Sequence, residues 1–258
     1  MSSHLRCFLP QPSPWAVGQK YLLPRTEAHH LLHVLRAKHG AEIYLLDGRG
    51  AQALACLEIH RNQAWAQVQK VSSFSAPKHP LILAQGLGKH RTMDTLIREA
   101  SALGVSQIVP LLTEHGEGKI PPGQERRKSE RWRSIAIAAC KQSGQPFLPE
   151  ILPPRSLADY LSPLPTESNL LLVASLEPEA ERFWNVLEDA ASGKAFASFV
   201  IFVGPAGDFS PEEYRLLATK DIRAVRLSRR VLRAETASAY ALSVIDQWLQ
   251  FHEDDLGR

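Results

Sequence analysis

The sequence predicts an α/β fold: a mostly parallel sheet in the larger carboxyl-terminal part, preceded by a smaller β-rich unit. Three observations carry the prediction. From Leu81 onward, short apolar runs alternate with longer stretches of helical spacing, as in successive βαβ units. Residues 1–72 instead hold several short strand-like runs around one helical segment, the pattern of a small barrel. Finally, the apolar run Phe199–Val203 breaks into Gly204-Pro205-Ala206-Gly207-Asp208, and an arginine-rich turn follows the next strand. Two such turns at the carboxyl ends of parallel strands are where an open α/β sheet binds a ligand.

In the first unit the strand-like runs are Tyr21–Leu23, Glu42–Leu46, Gln52–Ile59 and Ala64–Val68, with Asp47-Gly48-Arg49-Gly50 as a hairpin turn between the middle two. A helix starts at Thr26 or Glu27 and takes its apolar face from Leu31, Leu32, Val34 and Leu35. Ser72–Pro80, rich in serine and proline, reads as the linker to a second domain over 73–258. There Leu81–Gln85 is a strand, and Thr92–Leu103 a helix that Gly104 closes at its C′ position. Gln107–Leu112 is a strand, and Glu125–Ser143 a helix closed by Gly144. Leu170–Ser175 is a strand and Pro178–Ala190 a helix. The buried strand that follows ends at Gly204 and Gly207, which are expected to supply positive φ. Ser210-Pro211-Glu212-Glu213 then gives an N-cap, a proline at the first helical position and acids for the first turn. A strand over Arg223–Leu227, a loop over Ser228–Arg233 and a last helix opening near Glu235-Thr236 complete the pattern.

The 258 residues carry 30 Lys and Arg against 27 Asp and Glu, a net charge of +3. Residues 1–78 hold nine of the cations and four of the acids, which gives +5 there and −2 in the remainder. Within that remainder Lys119–Arg133 is locally basic. Basic patches on a nearly neutral chain fit a folded enzyme that binds nucleic acid, or simply solvated side chains. No apolar run approaches the roughly 20 residues of a membrane span, so no membrane partner is expected. Met1–Arg6 has no signal-peptide pattern, and a cytoplasmic protein is expected. Cys7, Cys56 and Cys140 are odd in number and far apart, which predicts reduced, mostly buried thiols.

Three motifs leave more than one reading open. Gly204-Pro205-Ala206-Gly207 is neither a P-loop nor G-x-G-x-x-G, so it either cradles a ligand or merely turns the chain. His29 and His33 share a helical face, but His29-His30-Leu31-Leu32-His33 lacks the Glu of a zinc-protease helix. A polar face beside Arg36 and Lys38, open to phosphate or bases, is the favoured alternative to metal. Arg229, Arg230 and Arg233 with Glu235 form an ion-pair network, or else face a nucleic acid.

Four segments in order carry a resemblance. They are His29-His30-Leu31-Leu32-His33-Val34-Leu35-Arg36; Met93-Asp94 with Glu99–Val105 and Pro110-Leu111; Arg131-Trp132 with Ile135-Ala136 and Gln142-Ser143-Gly144; and Gly204-Pro205-x-Gly207 with Leu232-Arg233-x-Glu235-Thr236-Ala237. Together they resemble the bacterial ribosomal RNA small-subunit methyltransferase E family of the SPOUT superfamily. The resemblance implies a PUA-like RNA-binding β-barrel over 1–72 and a SPOUT-type methyltransferase domain with a trefoil knot over 73–258. It also implies a homodimer, S-adenosyl-L-methionine as methyl donor, and methylation of uridine N3 in the RNA of the small ribosomal subunit.

On this sequence the resemblance places the cofactor at Ala174, Ser175, Gly204, Pro205, Gly207, Leu227, Ser228, Leu232 and Thr236. It places catalysis at Arg233 and Glu235, and RNA at Arg6, His30, Arg36, Lys89, Gln142, Arg229 and Arg230, with no metal. Arg233 would stabilise negative charge developing on the uracil oxygens, and Glu235 would hold that arginine or help remove the N3 proton. The family usually reads Gly-Pro-Glu-Gly-Gly where this chain has Ala206 and Asp208 in place of the acid and the second glycine. Lys141 stands for the common Glu before Gln-Ser-Gly, Gln145 for the Arg after it, and Lys89-His90-Arg91-Thr92-Met93 for Lys-Gly-Asp-Arg-Met. Two other readings stay open: a non-catalytic RNA-binding or assembly protein on the same scaffold, and a SPOUT methyltransferase with another RNA target.

Overall fold

A computed structural model describes residues 5–10, 14–61, 63–117, 121, 123–191 and 196–252. Lys119, which opens the basic stretch Lys119–Arg133, lies outside the described residues. The chain divides into two compact units, one over Met1–Ala76 with Ile137–Leu148, the other over Pro77–Ala136 with Pro149–Arg258.

The first unit is built on a five-stranded mixed sheet. Its elements are β1 (Leu5–Phe8), β2 (Lys20–Leu22), α1 (Arg25–His29), β3 (Glu42–Leu46), β4 (Ala51–His60) and β5 (Gln63–Ser73), in the sheet order β1-β3-β4-β5-β2. Only the β1–β3 pair is parallel. Along β4, Ala53, Ala55 and Leu57 alternate inward and are fully buried, as the two-residue period of a strand requires. They pack with Cys7, Leu31, Ile43, Leu45 and Val68 in one core.

The helix differs from its expected face. After His29 it widens into a turn of π-helix over His30–Val34, closed by the Leu35 N–H on the His30 carbonyl at 2.9 Å. The extra residue rotates the end of the helix away from the core. Leu31 is buried, but Val34 and Leu35 are 59% and 43% exposed rather than on the apolar face. Arg36 then takes left-handed backbone (φ 54), and Ala37 N–H reaches the Leu31 carbonyl at 2.9 Å in a Schellman-type closure.

The second unit is an α/β sheet whose described strand pairs are all parallel. Its elements are β6 (Leu81–Gly86), α2 (His90–Ala102), β7 (Gln107–Leu112), α3 (Glu125–Ser143), β8 (Glu150–Ile151), β9 (Arg155–Ser156), α4 (Leu157–Leu161), β10 (Asn169–Ala174), β11 (Glu181–Arg182), α5 (Phe183–Ala191), β12 (Ser198–Val203), α6 (Pro211–Ala218), β13 (Ile222–Arg226) and α7 (Ala234–His252). The sheet runs β11-β13-β10-β12-β6-β7-β8, with β9 also on β7. One row across it reads Ile222, Leu171, Val200, Ile82, Gln107 and Glu150.

Strand β12 sits at the middle and all six of its residues are buried. That unbroken apolar run reflects a sheet covered on both faces. On one face Val200 and Phe202 join Tyr160, Leu161, Phe209 and Leu217 from α4, α6 and the loop before α6. On the other, Phe199 packs against Trp248 of α7, ring centroids 5.7 Å apart. The helix ends follow their residue types: Gly104 and Gly144 take φ of 81° and 82° after α2 and α3. Ser210 and Glu213 form a reciprocal capping box, with Pro211 opening α6. Strand pairing brings β8 and β9 into being where the sequence alone showed no pattern, α4 follows with Ser156 as its N-cap, and Pro178–Ala190 divides into β11 and a helix that starts only at Phe183.

Candidate functional site

The carboxyl ends of β6, β10, β12 and β13 open onto one cavity of about 540 Å³. Four segments wall it: Gly88–Thr92 after β6, Ala174–Leu176 after β10, Val203–Asp208 after β12, and Leu227–Ala237 after β13, with Glu117 at one side. Every strand that supplies a wall is parallel to its neighbours, so their ends all point to the same edge of the sheet.

Close packing explains the glycines. A Cβ on Gly86 would lie 2.5 Å from Pro205 Cδ and 2.6 Å from its nitrogen. One on Gly204 would lie 2.7 Å from Asp208 Oδ1, and one on Gly207 would lie 3.0 Å from the His115 Cβ. Positive φ is not the reason. Neither Gly204 nor Gly207 has it; the left-handed residue of this turn is Asp208, with φ 61. A residue with a Cβ is costly there, and the structure holds its carboxylate by two donors. Asp208 Oδ1 accepts the Phe209 N–H at 2.8 Å, and both carboxylate oxygens lie 3.1 Å from the Tyr214 hydroxyl.

Buried polar groups position the turn from below. Gln85, 1% exposed at the end of β6, donates to the carbonyls of Gly86 and Gly204 at 3.0 Å. Its own carbonyl accepts from Ser238 on α7 at 2.6 Å. Three elements that surround the cavity are thereby tied by one side chain. From the side, His115 Nδ1 lies 3.0 Å from the Gly207 carbonyl, and the Glu114 N–H reaches Glu213 of the capping box at 3.0 Å.

Of the residues expected at the site, Lys89, Ala174, Ser175, Gly204, Pro205, Leu227, Ser228, Arg230, Leu232, Arg233 and Glu235 line the cavity. Gly207, Thr236 and Arg229 are not among its lining residues. Arg229, Arg230 and Arg233 are exposed, and among the described residues none of them forms an ion pair with Glu235 or any other acid. The ion-pair network considered for this loop is therefore absent there. Lys89 pairs with Glu117 at 3.3 Å, both well exposed. Sequence reasoning missed Gly88, Thr92, Leu176 and the positioning side chains Gln85, His115 and Tyr214; Asp208 and Val231 lie in the turn and loop it marked, with no role given to either. Gln85 looked like any strand residue; only its burial reveals it.

The remaining expected residues belong to the first unit. The Arg6 guanidinium donates to the carbonyls of Lys141 and Gln142 at 3.1 Å, satisfying the open end of α3. It is a helix cap in this structure. Gln142 and Arg36 are exposed and His30 is half-buried. Lys141 forms an ion pair with Glu27 of α1 at 2.7 Å, largely out of solvent, beside the buried Cys7, whose thiol is pushed far up by burial and the Glu27 carboxylate. Among the described residues no three His, Cys, Asp or Glu side chains converge as a metal site, and all three cysteines are free.

A parallel sheet with a cavity at its carboxyl edge, walled by a tight glycine turn and unpaired arginines, defines an α/β domain built to take a nucleotide-like ligand beside an anionic one. A profile of the RNA methyltransferase domain matches residues 75–246, and one of the RNA methyltransferase PUA domain matches 23–69. The chain belongs to the ribosomal RNA small subunit methyltransferase E family. It is 28% identical to the protein of that name from Synechocystis, over 88% of this chain and 73% of that one. With the Bacillus subtilis protein it shares 25% identity over 85% and 86% of the two chains. The small subunit methyltransferase E of Neisseria gonorrhoeae, solved bound to S-adenosyl methionine, superposes with a TM-score of 0.83 at 27% identity, over 95% of this chain and 97% of that one. A Legionella pneumophila protein solved with the cofactor SAM gives 0.83 at 26%, over the same shares.

Proposed function

We propose that the chain transfers a methyl group from S-adenosyl-L-methionine to N3 of a uridine in small-subunit ribosomal RNA, as a homodimer in the cytoplasm. The observation that carries the reading is the meeting of the glycine turn and the arginine-bearing loop around one cavity. Its volume, about 540 Å³, falls within the range of small-molecule and cofactor sites. Leu176, Val203, Leu227 and Leu232 offer apolar walls to a purine, and the crowding at Gly86, Gly204 and Pro205 brings main chain to the cavity surface. When bound, the cofactor supplies a methyl group activated by its sulfonium.

The side chains of this protein must then make the uridine a nucleophile, since N3 is a weakly acidic imide. Arg233, exposed and free of any ion pair among the described residues, presents a fixed fork of donors to the uracil oxygens and stabilises charge as the proton leaves. Glu235, half-buried in the first turn of α7, orients that arginine or accepts the proton. Arg229, Arg230 and Lys89 hold phosphates, while His30 and Arg36 of the domain over 1–72, and Gln142 at the end of α3 in the same compact unit, serve RNA. Exposed Lys89–Glu117 is weak enough to yield to a phosphate. The path of α7, which follows β13 on the far side of β10 and packs on β12 and β6, supports a trefoil knot in the second domain. The exposed Tyr240 and Phe251 on α7 support a homodimer contact, and no described helix is long and apolar enough to cross a membrane.

The test is methylation of small ribosomal subunits from a strain lacking its own enzyme. New N3-methyluridine mapped in their RNA is the expected result. Cofactor binding by calorimetry without any such methyluridine would favour another RNA target, and absence of both would favour a non-catalytic RNA-binding protein.

A further inference from the structure

Tyr214 stands outside the cavity yet bonds to one of its walls. It is the fourth residue of α6, and its ring packs edge-on to Phe209, centroids 5.8 Å apart. Its hydroxyl lies 3.1 Å from both oxygens of Asp208, on the wall after β12. Burial raises the phenol above its ordinary range, so the proton it donates stays in place.

The acceptor is a residue that needs holding. Asp208 has φ 61, and its Oδ1 occupies the space beside Gly204 where a side chain would go, 2.7 Å from a Cβ there. Its backbone is bonded to the Pro205 carbonyl at 2.9 Å and to His115 Nδ1 at 3.2 Å, but without the phenol its carboxylate would keep only the Phe209 amide at 2.8 Å on Oδ1. A satisfied carboxylate fixes the turn more firmly than packing alone.

We propose that Tyr214 is a positioning residue: through Asp208 its hydroxyl holds the glycine turn in the arrangement that receives the methyl donor, and so sets donor affinity without touching the reacting atoms. The proposal rests on the reading of this cavity as the S-adenosyl-L-methionine site. Tyr214→Phe keeps the ring and removes only the hydroxyl. By calorimetry its Kd for S-adenosyl-L-methionine rises about tenfold, the worth of one buried hydrogen bond. KM for the donor rises in parallel, while kcat at saturating donor stays within about twofold. Asp208→Gly suits the backbone and removes the carboxylate, and it loses about as much. The double variant loses about tenfold rather than about a hundredfold, because both changes break one contact. Donor affinity unchanged in Tyr214→Phe, or losses that multiply in the double variant, would overturn the role. Wild-type protein that bound no donor would bring down the cofactor reading and this role together, whereas wild-type binding with unaltered variants sinks this role alone.

Discussion

Gly86 has to be glycine because of Pro205. The pyrrolidine and its backbone nitrogen come so close that a Cβ would meet them at 2.5 and 2.6 Å. Neither atom is the loose end of a flexible side chain, so Gly86→Ala must displace the glycine turn. We expect a loss of about 1–3 kcal/mol in denaturant stability, as for other overpacked sites, together with weaker donor binding. Arg233→Ala is different in kind. It removes a donor from the cavity rim without touching the core, so kcat should fall about a hundredfold while the donor Kd stays within about threefold. Single-turnover methylation beside calorimetry separates the two, and full turnover in Arg233→Ala with normal RNA binding would refute its role. At this scale the sequence was a partial guide. Gly204, Pro205 and Arg233 declare themselves because Gly, Pro and clustered Arg are rare beside a buried strand, whereas Leu232 came only with the family resemblance. Gln85, Asp208 and Tyr214 do not, since what matters about them is a partner far along the chain or across the turn.

Long elements were legible and short ones were not, for a physical reason. The 19 residues of α3 run from Glu125 to Ser143 as their spacing and the following Gly144 indicated. Strands of two residues such as β8 and β9 have no periodicity to read; they exist because β7 offers them hydrogen bonds. The π turn after α1 was equally hidden, because one inserted residue changes which side chains face inward without changing composition. The end of α3 shows how an element is anchored inside the first unit: Arg6 caps its carbonyls and Lys141 pairs with Glu27. Lys141→Ala leaves the Glu27 carboxylate without its ammonium in a poorly solvated place. The expected loss is about 1.5–3 kcal/mol, the range for hydrogen bonds to charged groups. Adding Glu27→Ala should recover part of it, and chemical denaturation of the three variants measures the coupling.

For the molecule as a whole, alternating strands and helices indicated a parallel sheet, but the order of strands was beyond local reading. That order depends on pairings such as β12 with β6 and β10 with β13, which are fixed by packing across the fold. A second global property arises from burial. The thiol of Cys140 is pushed up to about 11 from the usual 9.0, and the phenol of Tyr160 up to about 12 from 10.0, both chiefly by desolvation; Cys7 and Tyr214 move the same way. Above about pH 9 the unfolded chain releases thiol protons that the folded chain retains. Stability should therefore be level below pH 9 with respect to these groups and fall as pH rises from about 9 to 11. Urea midpoints across that range test it, and Cys140→Ala should flatten the slope. The place of β12, wedged between β6 and β10, sets an order of events during synthesis. While the ribosome is still making the first 197 residues, β6 presents a bare edge and β10 has neither of its partners, β12 and β13, beside it. A nascent chain paused there would have only the part of the sheet built on β6 and β7, and no cavity. The two parts join, and the protein acquires its cavity, only as the last quarter of the polypeptide emerges.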